Sequence, residues 1–186
     1  MCEVLFIKNM VCPRCITTIE SILGKLKIEE YDVQLGRIEI NGHYDEALLK
    51  KALYNEGFAL LKDSASILIE QIKSLMRELY LENNFQSVNT KLSFYLGEKL
   101  NTPYHILSKT YKNYENRSIE DYWLALRIEK TKELLEQKNH SLEEIALQVG
   151  YSSQQSLSKI FKQKTGLSPR EYKNNQKSLR NTLDTI

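Results

Sequence analysis

The chain contains an imperfect internal repeat, and a repeat commits both copies to the same supersecondary unit. Leu107-Ser108-Lys109 and Tyr111-Lys112 recur fifty residues later as Leu157-Ser158-Lys159 and Phe161-Lys162. Upstream, Leu96-Gly97 and Leu100 match Ile145-Ala146 and Val149 at an offset of forty-nine. The one-residue difference falls between the matched blocks, where a turn absorbs it. Each copy reads as a short helix, a turn and a second helix with Ser and Lys on its polar face. A tandem of helical hairpins used only as scaffold satisfies the same pattern. The repeat alone therefore leaves nucleic-acid binding and scaffolding open.

The segment between the copies favours the first. From Ser118 to about Lys138, apolar residues fall at 119, 122, 123, 126, 134 and 135, with no Pro or Gly. A helix of about 20 residues is about 30 Å long, close to the roughly 34 Å of one turn of B-DNA. Such a connector could set two helices in successive major grooves, a distance a scaffold does not need. In the second copy, Ser141 and Glu144 have capping-box spacing and Gly150 punctuates the turn. Ser153, Gln154, Gln155, Ser158 and Lys159 populate the start and polar face of the next helix, with Leu157, Ile160 and Phe161 on its buried side. Gln can pair bidentately with adenine and Lys can reach guanine. Lys162 and Lys164 are better placed for phosphates. The bland alternative is an ordinary polar helix face.

Residues 141–173, SLEEIALQVGYSSQQSLSKIFKQKTGLSPREYK, resemble the second helix-turn-helix of AraC/XylS-type transcription regulators. Ile145-Ala146, Gly150-Tyr151, Phe161-Lys162, Gly166 and Pro169 all match that signature, and the resemblance extends over roughly residues 85–175. It implies an all-α domain with two helix-turn-helix motifs joined by a long helix, bound to double-stranded promoter DNA. It further implies base contacts from Gln154, Gln155, Ser158 and Lys159 in the second motif, and from His105, Ser108 and Lys109 in the first, with Lys112 near phosphate. The first copy departs from the pattern: Gly97 stands where Ala is usual, and Glu115-Asn116 replaces the helix-ending Gly. These departures predict weaker or differently posed reading by the first motif. Pro103 can start its helix.

The N-terminal part has other periods. Val4–Ile7 reads as a buried strand, and apolar residues at 16, 19, 22, 23 and 26 have helical spacing. Tyr31, Val33 and Leu35, then Ile38 and Ile40, alternate around a tight turn at Leu35-Gly36. Asp45 can cap a helix carrying Leu48, Leu49, Ala52 and Leu53, closed by Gly57, and Phe58–Leu61 is a last short strand. The order is β-α-β-β-α-β, an α+β ferredoxin-like arrangement. Cys12 and Cys15 lie between the first strand and the first helix, so two thiols three apart can face one ion. The Met10-Val11-Cys12-Pro13-Arg14-Cys15 segment resembles the core of heavy-metal-associated domains of copper chaperones and metal pumps, over about residues 3–62. That resemblance implies a soft metal ion, chiefly Cu(I), on Cys12 and Cys15. Asn9 replaces the family's usual Gly, and Val11 its Thr. Val11 offers no hard oxygen, so the thiols suit Cu(I) or Ag(I) better than zinc. Cys2 and His43 belong at the far end of the strands. Idle cysteines and a redox-sensing pair remain alternatives. No proline is available in this part to sit opposite the cysteines as in thioredoxin-like folds.

Composition completes the division. The net charge is +2, but residues 1–63 carry 8 Lys and Arg against 10 Asp and Glu, and residues 64–186 carry 18 against 14. The basic excess belongs to the part with the repeat. Three Cys exclude a disulfide scaffold. No apolar run approaches the roughly 18 residues of a membrane span, and the first residues lack a signal-peptide apolar region. A cytoplasmic protein is expected. The histidines at 43, 105 and 140 are scattered and no Gly-rich phosphate loop occurs, so an enzyme is not expected. The expected organisation is a ferredoxin-like domain over 1–63, a linker helix over 64–82 and a DNA-binding domain over 83–186. The linker carries Ile72, Leu75, Met76 and Leu79, which suit burial within a monomer or the seal of a homodimer. A metal chaperone with a helical tail, and a regulator whose N-terminal part serves dimerisation or a non-metal effector, remain alternatives.

Overall fold

The computed structural model describes residues 2–86, 92–137, 139–174, 179–183 and 186. The chain divides into two compact units, Met1–Glu78 and Leu79–Ile186. The division falls inside a helix rather than at residue 63 or 82.

In the first unit the elements run β1 (Cys2–Lys8), α1 (Pro13–Lys25), β2 (Glu30–Gln34), β3 (Arg37–Asn41), α2 (Glu46–Asn55), β4 (Ala59–Leu61), then α3 (Ser64–Leu81). The strands form an antiparallel sheet in the order β2-β3-β1-β4. The core is Ile7, Ile19, Leu23, Ile38, Leu49 and Leu53, all fully buried. These are alternate positions on strands and i, i+3, i+4 positions on helices, as burial of one face requires. Helix α1 begins at Pro13, three residues before its apolar stripe, because Pro suits the first turn where its missing N–H is no loss. Asp45 caps α2 by accepting from the Ala47 and Leu48 amides at 2.8 and 3.0 Å. Gly36 closes the β2–β3 turn at φ +80°, and a Cβ there would meet Ser74 Oγ at 2.2 Å. Helix α3 thus packs onto that turn at a point only Gly permits.

In the second unit α4 (Leu92–Lys99) and α5 (Tyr104–Glu115) form one helix pair, and α7 (Leu142–Gln148) and α8 (Gln154–Thr165) another. Helix α6 (Ile119–Gln137) lies between them in the chain and α9 (Pro169–Asn174) follows. The expected start and end of α6 are met except that Lys138 lies outside the described residues, as do residues 87–89 of the polar segment 83–89. From 105 to 123 and from 155 to 173 the buried, half-buried and exposed positions correspond one for one. Each copy also places an aromatic pair at the same positions. The Tyr111 and Tyr122 rings are 6.2 Å apart and the Phe161 and Tyr172 rings 5.5 Å. Ile160, expected on the buried side of α8, is only partly buried at the edge of that core.

Helix α6 is buried on more than one face, Glu129, Lys130 and Lys132 included. Its charges are paired: Lys132 Nζ with Glu129 at 2.5 Å and Lys130 Nζ with Glu133 at 2.7 Å. Buried charges need such partners. Helix α6 is therefore a hub rather than a surface connector.

Candidate functional site

Three helix starts in the second unit use one reciprocal device. Ser141 Oγ accepts from the Glu144 amide while Glu144 accepts from the Ser141 amide at 2.7 Å, the capping box expected for α7. Ser118 with Asp121, and Ser168 with Glu171, do the same for α6 and α9. Hydrogen bonds from these serines hold the carboxyls of Asp121, Glu144 and Glu171 below their ordinary range. Helix α8 is capped by Ser153, which accepts from the Ser156 amide at 3.2 Å. Helix α5 begins after Pro103, which supplies no side-chain cap.

Along α8 the buried residues are Leu157 and Phe161, so Gln154, Gln155, Lys159 and Lys162 point to solvent and Ser158 is half-buried. Along α5 the buried residues are Leu107 and Tyr111, leaving His105, Lys109 and Lys112 exposed and Ser108 half-buried. All nine residues singled out from the sequence thus lie on the uncovered faces of two corresponding helices. Their side chains form no hydrogen bond or ion pair with another described residue. An exposed helix face bearing Gln, Ser and Lys offers the donors and acceptors that base edges and phosphates require.

The two departures in the first copy have local explanations. Asn116 ends α5 at φ +56°, the left-handed conformation that Gly166 takes at +79° after α8. Asn is the non-Gly residue best suited to that position. Gly97 lies inside α4, and a Cβ added there would meet only the Thr102 carbonyl at an ordinary 3.5 Å. Neither change disturbs the geometry of the pair.

The second turn has a feature that sequence reasoning missed. Arg127 Nε on α6 donates to the Val149 carbonyl at 2.6 Å, and the guanidinium lies 3.7 Å from the centre of the Tyr151 ring. Its only sequence signal is an aromatic residue directly after Gly150. Nothing in the pattern of α6 marks Arg127.

A family model described as "Helix-turn-helix domain" matches residues 96–175. Residues 96–175 thus match a helix-turn-helix domain. The chain is 25% identical over 147 residues to the probable transcriptional regulator LumQ of Photobacterium leiognathi, covering 75% of this chain and 57% of that protein. It is 28% identical over 138 residues to the raffinose operon transcriptional regulatory protein RafR of Pediococcus pentosaceus, covering 72% and 49%. The chain thus spans about half the length of the curated relatives it matches. Among solved structures, the C-terminal domain of AraT, a response regulator from Geobacillus stearothermophilus, matches with TM-score 0.53 and 26% identity, over 64% of this chain and 95% of that one. Both curated relatives are named as transcriptional regulators. Among the described residues no helix is long and apolar enough to cross a membrane.

In the first unit, Cys12 and Cys15 place their sulfurs 3.6 Å apart at the start of α1. Two sulfurs at that separation can share one ion at about 2.3 Å from each. Cys2 is exposed at the opposite end of β1, in register with Asn41, which precedes His43 by two residues. Among the described residues no group of three or more His, Cys, Asp or Glu could hold a metal. The donor set is two sulfurs, the kind soft ions favour. Asn9 takes φ +73°, where the resembled family has Gly, and its Nδ2 donates to the Gly57 carbonyl at 2.9 Å. The loop is also tied to α3: buried Arg77 Nη1 donates to the Met10 carbonyl at 3.3 Å and pairs with Glu70 at 2.6 Å.

Proposed function

We propose that the protein is a sequence-specific transcription regulator that reads DNA with α5 and α8 and responds to a soft metal ion such as Cu(I) on Cys12 and Cys15. The observation that carries the DNA reading is the structural repeat. The second helices and the segments after them match position by position from 105 to 123 and from 155 to 173, and each second helix turns Lys, Ser and Gln or His outward. We read the pairs as two helix-turn-helix motifs, with Gln154, Gln155, Ser158, Lys159, His105, Ser108 and Lys109 toward bases and Lys112 and Lys162 toward phosphates.

The metal reading takes residues 1–63 as a ferredoxin-like, heavy-metal-associated domain. It is supported by the order β-α-β-β-α-β, the sheet order and the sulfur separation. Cys12 and Cys15 would hold the ion, which supplies a crosslink between the loop and the first turn of α1. The Arg77 bond to the Met10 carbonyl offers a route from that loop into α3. Coupling requires that the metal-bound and metal-free states differ in DNA affinity.

Mobility shifts of the full chain on a duplex recovered from a random pool test both parts. Gln154→Ala is expected to relax base preference. Lys162→Ala is expected to weaken all sequences alike and to reduce the salt slope by about 1. Cu(I), added under reducing conditions, is expected to change the affinity of the parent protein and not of a Cys12→Ser/Cys15→Ser variant. No preference over random duplex would sink the regulator; an identical Cu(I) effect in both proteins would sink the metal response.

A further inference from the structure

The carbonyl at the end of the first helix needs an outside donor in both copies, because the last helical carbonyls have no intrahelical partner. In the first copy that carbonyl belongs to Leu100, and Thr102 Oγ1 from the same turn donates to it at 2.9 Å. In the second copy it belongs to Val149, and the donor is Arg127 from α6 at 2.6 Å.

Arg127 engages the whole second turn. Its guanidinium covers the ring of Tyr151 at 3.7 Å. Between Val149 and Tyr151, Gly150 sits at φ +78°, where a Cβ would come within 3.7 Å of Arg127 Nη2 and 3.4 Å of the Phe85 carbonyl. Three successive turn residues are thus fitted to one side chain. A planar guanidinium can donate in its plane and stack on its face at once, which an ammonium cannot. Burial pulls Arg127 below its ordinary value, so the group has given up water for these contacts. The turn fixes the angle between α7 and α8, and Tyr151 itself closes it by donating its amide to Ala146 O at 2.8 Å.

We propose that Arg127 is the positioning residue that sets the second reading helix against α6, so that base preference by α8 depends on it while base preference by α5 does not. The proposal rests on the DNA reading above and adds a residue that touches no base. Arg127 works through the Val149 carbonyl and the Tyr151 ring, and the first turn has its own closure in Thr102.

The test compares the full chain with Arg127→Lys, Arg127→Gln and Tyr151→Leu. Arg127→Lys retains the charge, and Tyr151→Leu removes the stacking ring together with its buried hydroxyl. Amide hydrogen exchange without DNA comes first. Amides of residues 149–152 are expected to exchange about tenfold faster or more in all three variants, the loss of a charged hydrogen bond or its stacked partner. Amides of residues 97–102 are expected to keep the parent rates. Competition binding with single base-pair changes comes second, the α8-read positions being those that respond to Gln154→Ala. Preference there is expected to fall about tenfold in Arg127→Lys, with preference at the remaining positions retained. Faster exchange throughout both turns, or equal loss of preference at both sets of positions, makes Arg127 a general stabiliser and overturns the proposal. Unchanged exchange at 149–152 overturns it as well. If the parent protein prefers no sequence, the DNA reading fails, and the exchange rates still decide whether Arg127 positions the turn.

Discussion

The two helix pairs share a plan and differ in what holds them. Their burial patterns coincide from 105 to 123 and from 155 to 173, and both seat an aromatic pair beneath the second helix. Yet the first turn is closed from within by Thr102, and the second from outside by Arg127, with Gln86 Nε2 also donating to the Leu147 carbonyl at 2.8 Å. Helix α8 has a side-chain cap in Ser153, whereas α5 starts after an uncapping Pro103. The core of a repeat is thus kept while its turns diverge, because ring packing tolerates few substitutes and a lone carbonyl accepts any well-placed donor. Both copies meet the hub helix, the first through the Tyr104 hydroxyl, which donates to Glu120, and the second through its turn, which Arg127 holds.

The shared core is where the largest effects belong. Phe161→Ala and Tyr111→Ala should each cost about 3–5 kcal/mol in urea unfolding of the full chain. A small loss for one of them would break the equivalence of the copies. The turns should then separate the copies. Gly150→Ala places a side chain at φ +78° against Phe85 and Arg127, for a cost of about 1–2 kcal/mol. Asn101→Gly, at the corresponding φ of +46°, should change stability by no more than about 0.5 kcal/mol. The smallest effects reverse the first copy's departures. Gly97→Ala adds a methyl at ordinary contact distance from the Thr102 carbonyl and should gain about 0.5–1 kcal/mol, and Asn116→Gly a few tenths. Thermal midpoints check both, and a loss on Gly97→Ala would mean that the glycine serves a close approach.

Much of this plan was legible in the chain. The repeat offset located both pairs, and Ser141 with Glu144 announced the start of α7 because capping depends on residues three apart. The strands and helices of the first unit followed from periods of two and 3.6. What could not be read was anything made between distant segments. The unusual residues Asn9 and Asn116 counted as departures, since a sequence does not display that both would sit at positive φ, where Asn stands in for Gly. The burial of the α6 charges carries no sequence signal either, because Glu129 and Lys132 satisfy each other inside. Arg127 was invisible for the same reason. Its partners lie 22 and 24 positions away, and no periodicity links them.

The most direct test of the central claim is selection of the full chain on random DNA duplexes, followed by sequencing. Two reading helices joined by a hub of 19 residues predict two short preferred blocks on one face of the duplex, their centres about 10 base pairs apart. Gln154→Ala should erase preference in one block and Lys109→Ala in the other. A pool that emerges without enrichment, or with a single block that both substitutions erase, would contradict a protein that reads DNA through both copies of its repeat.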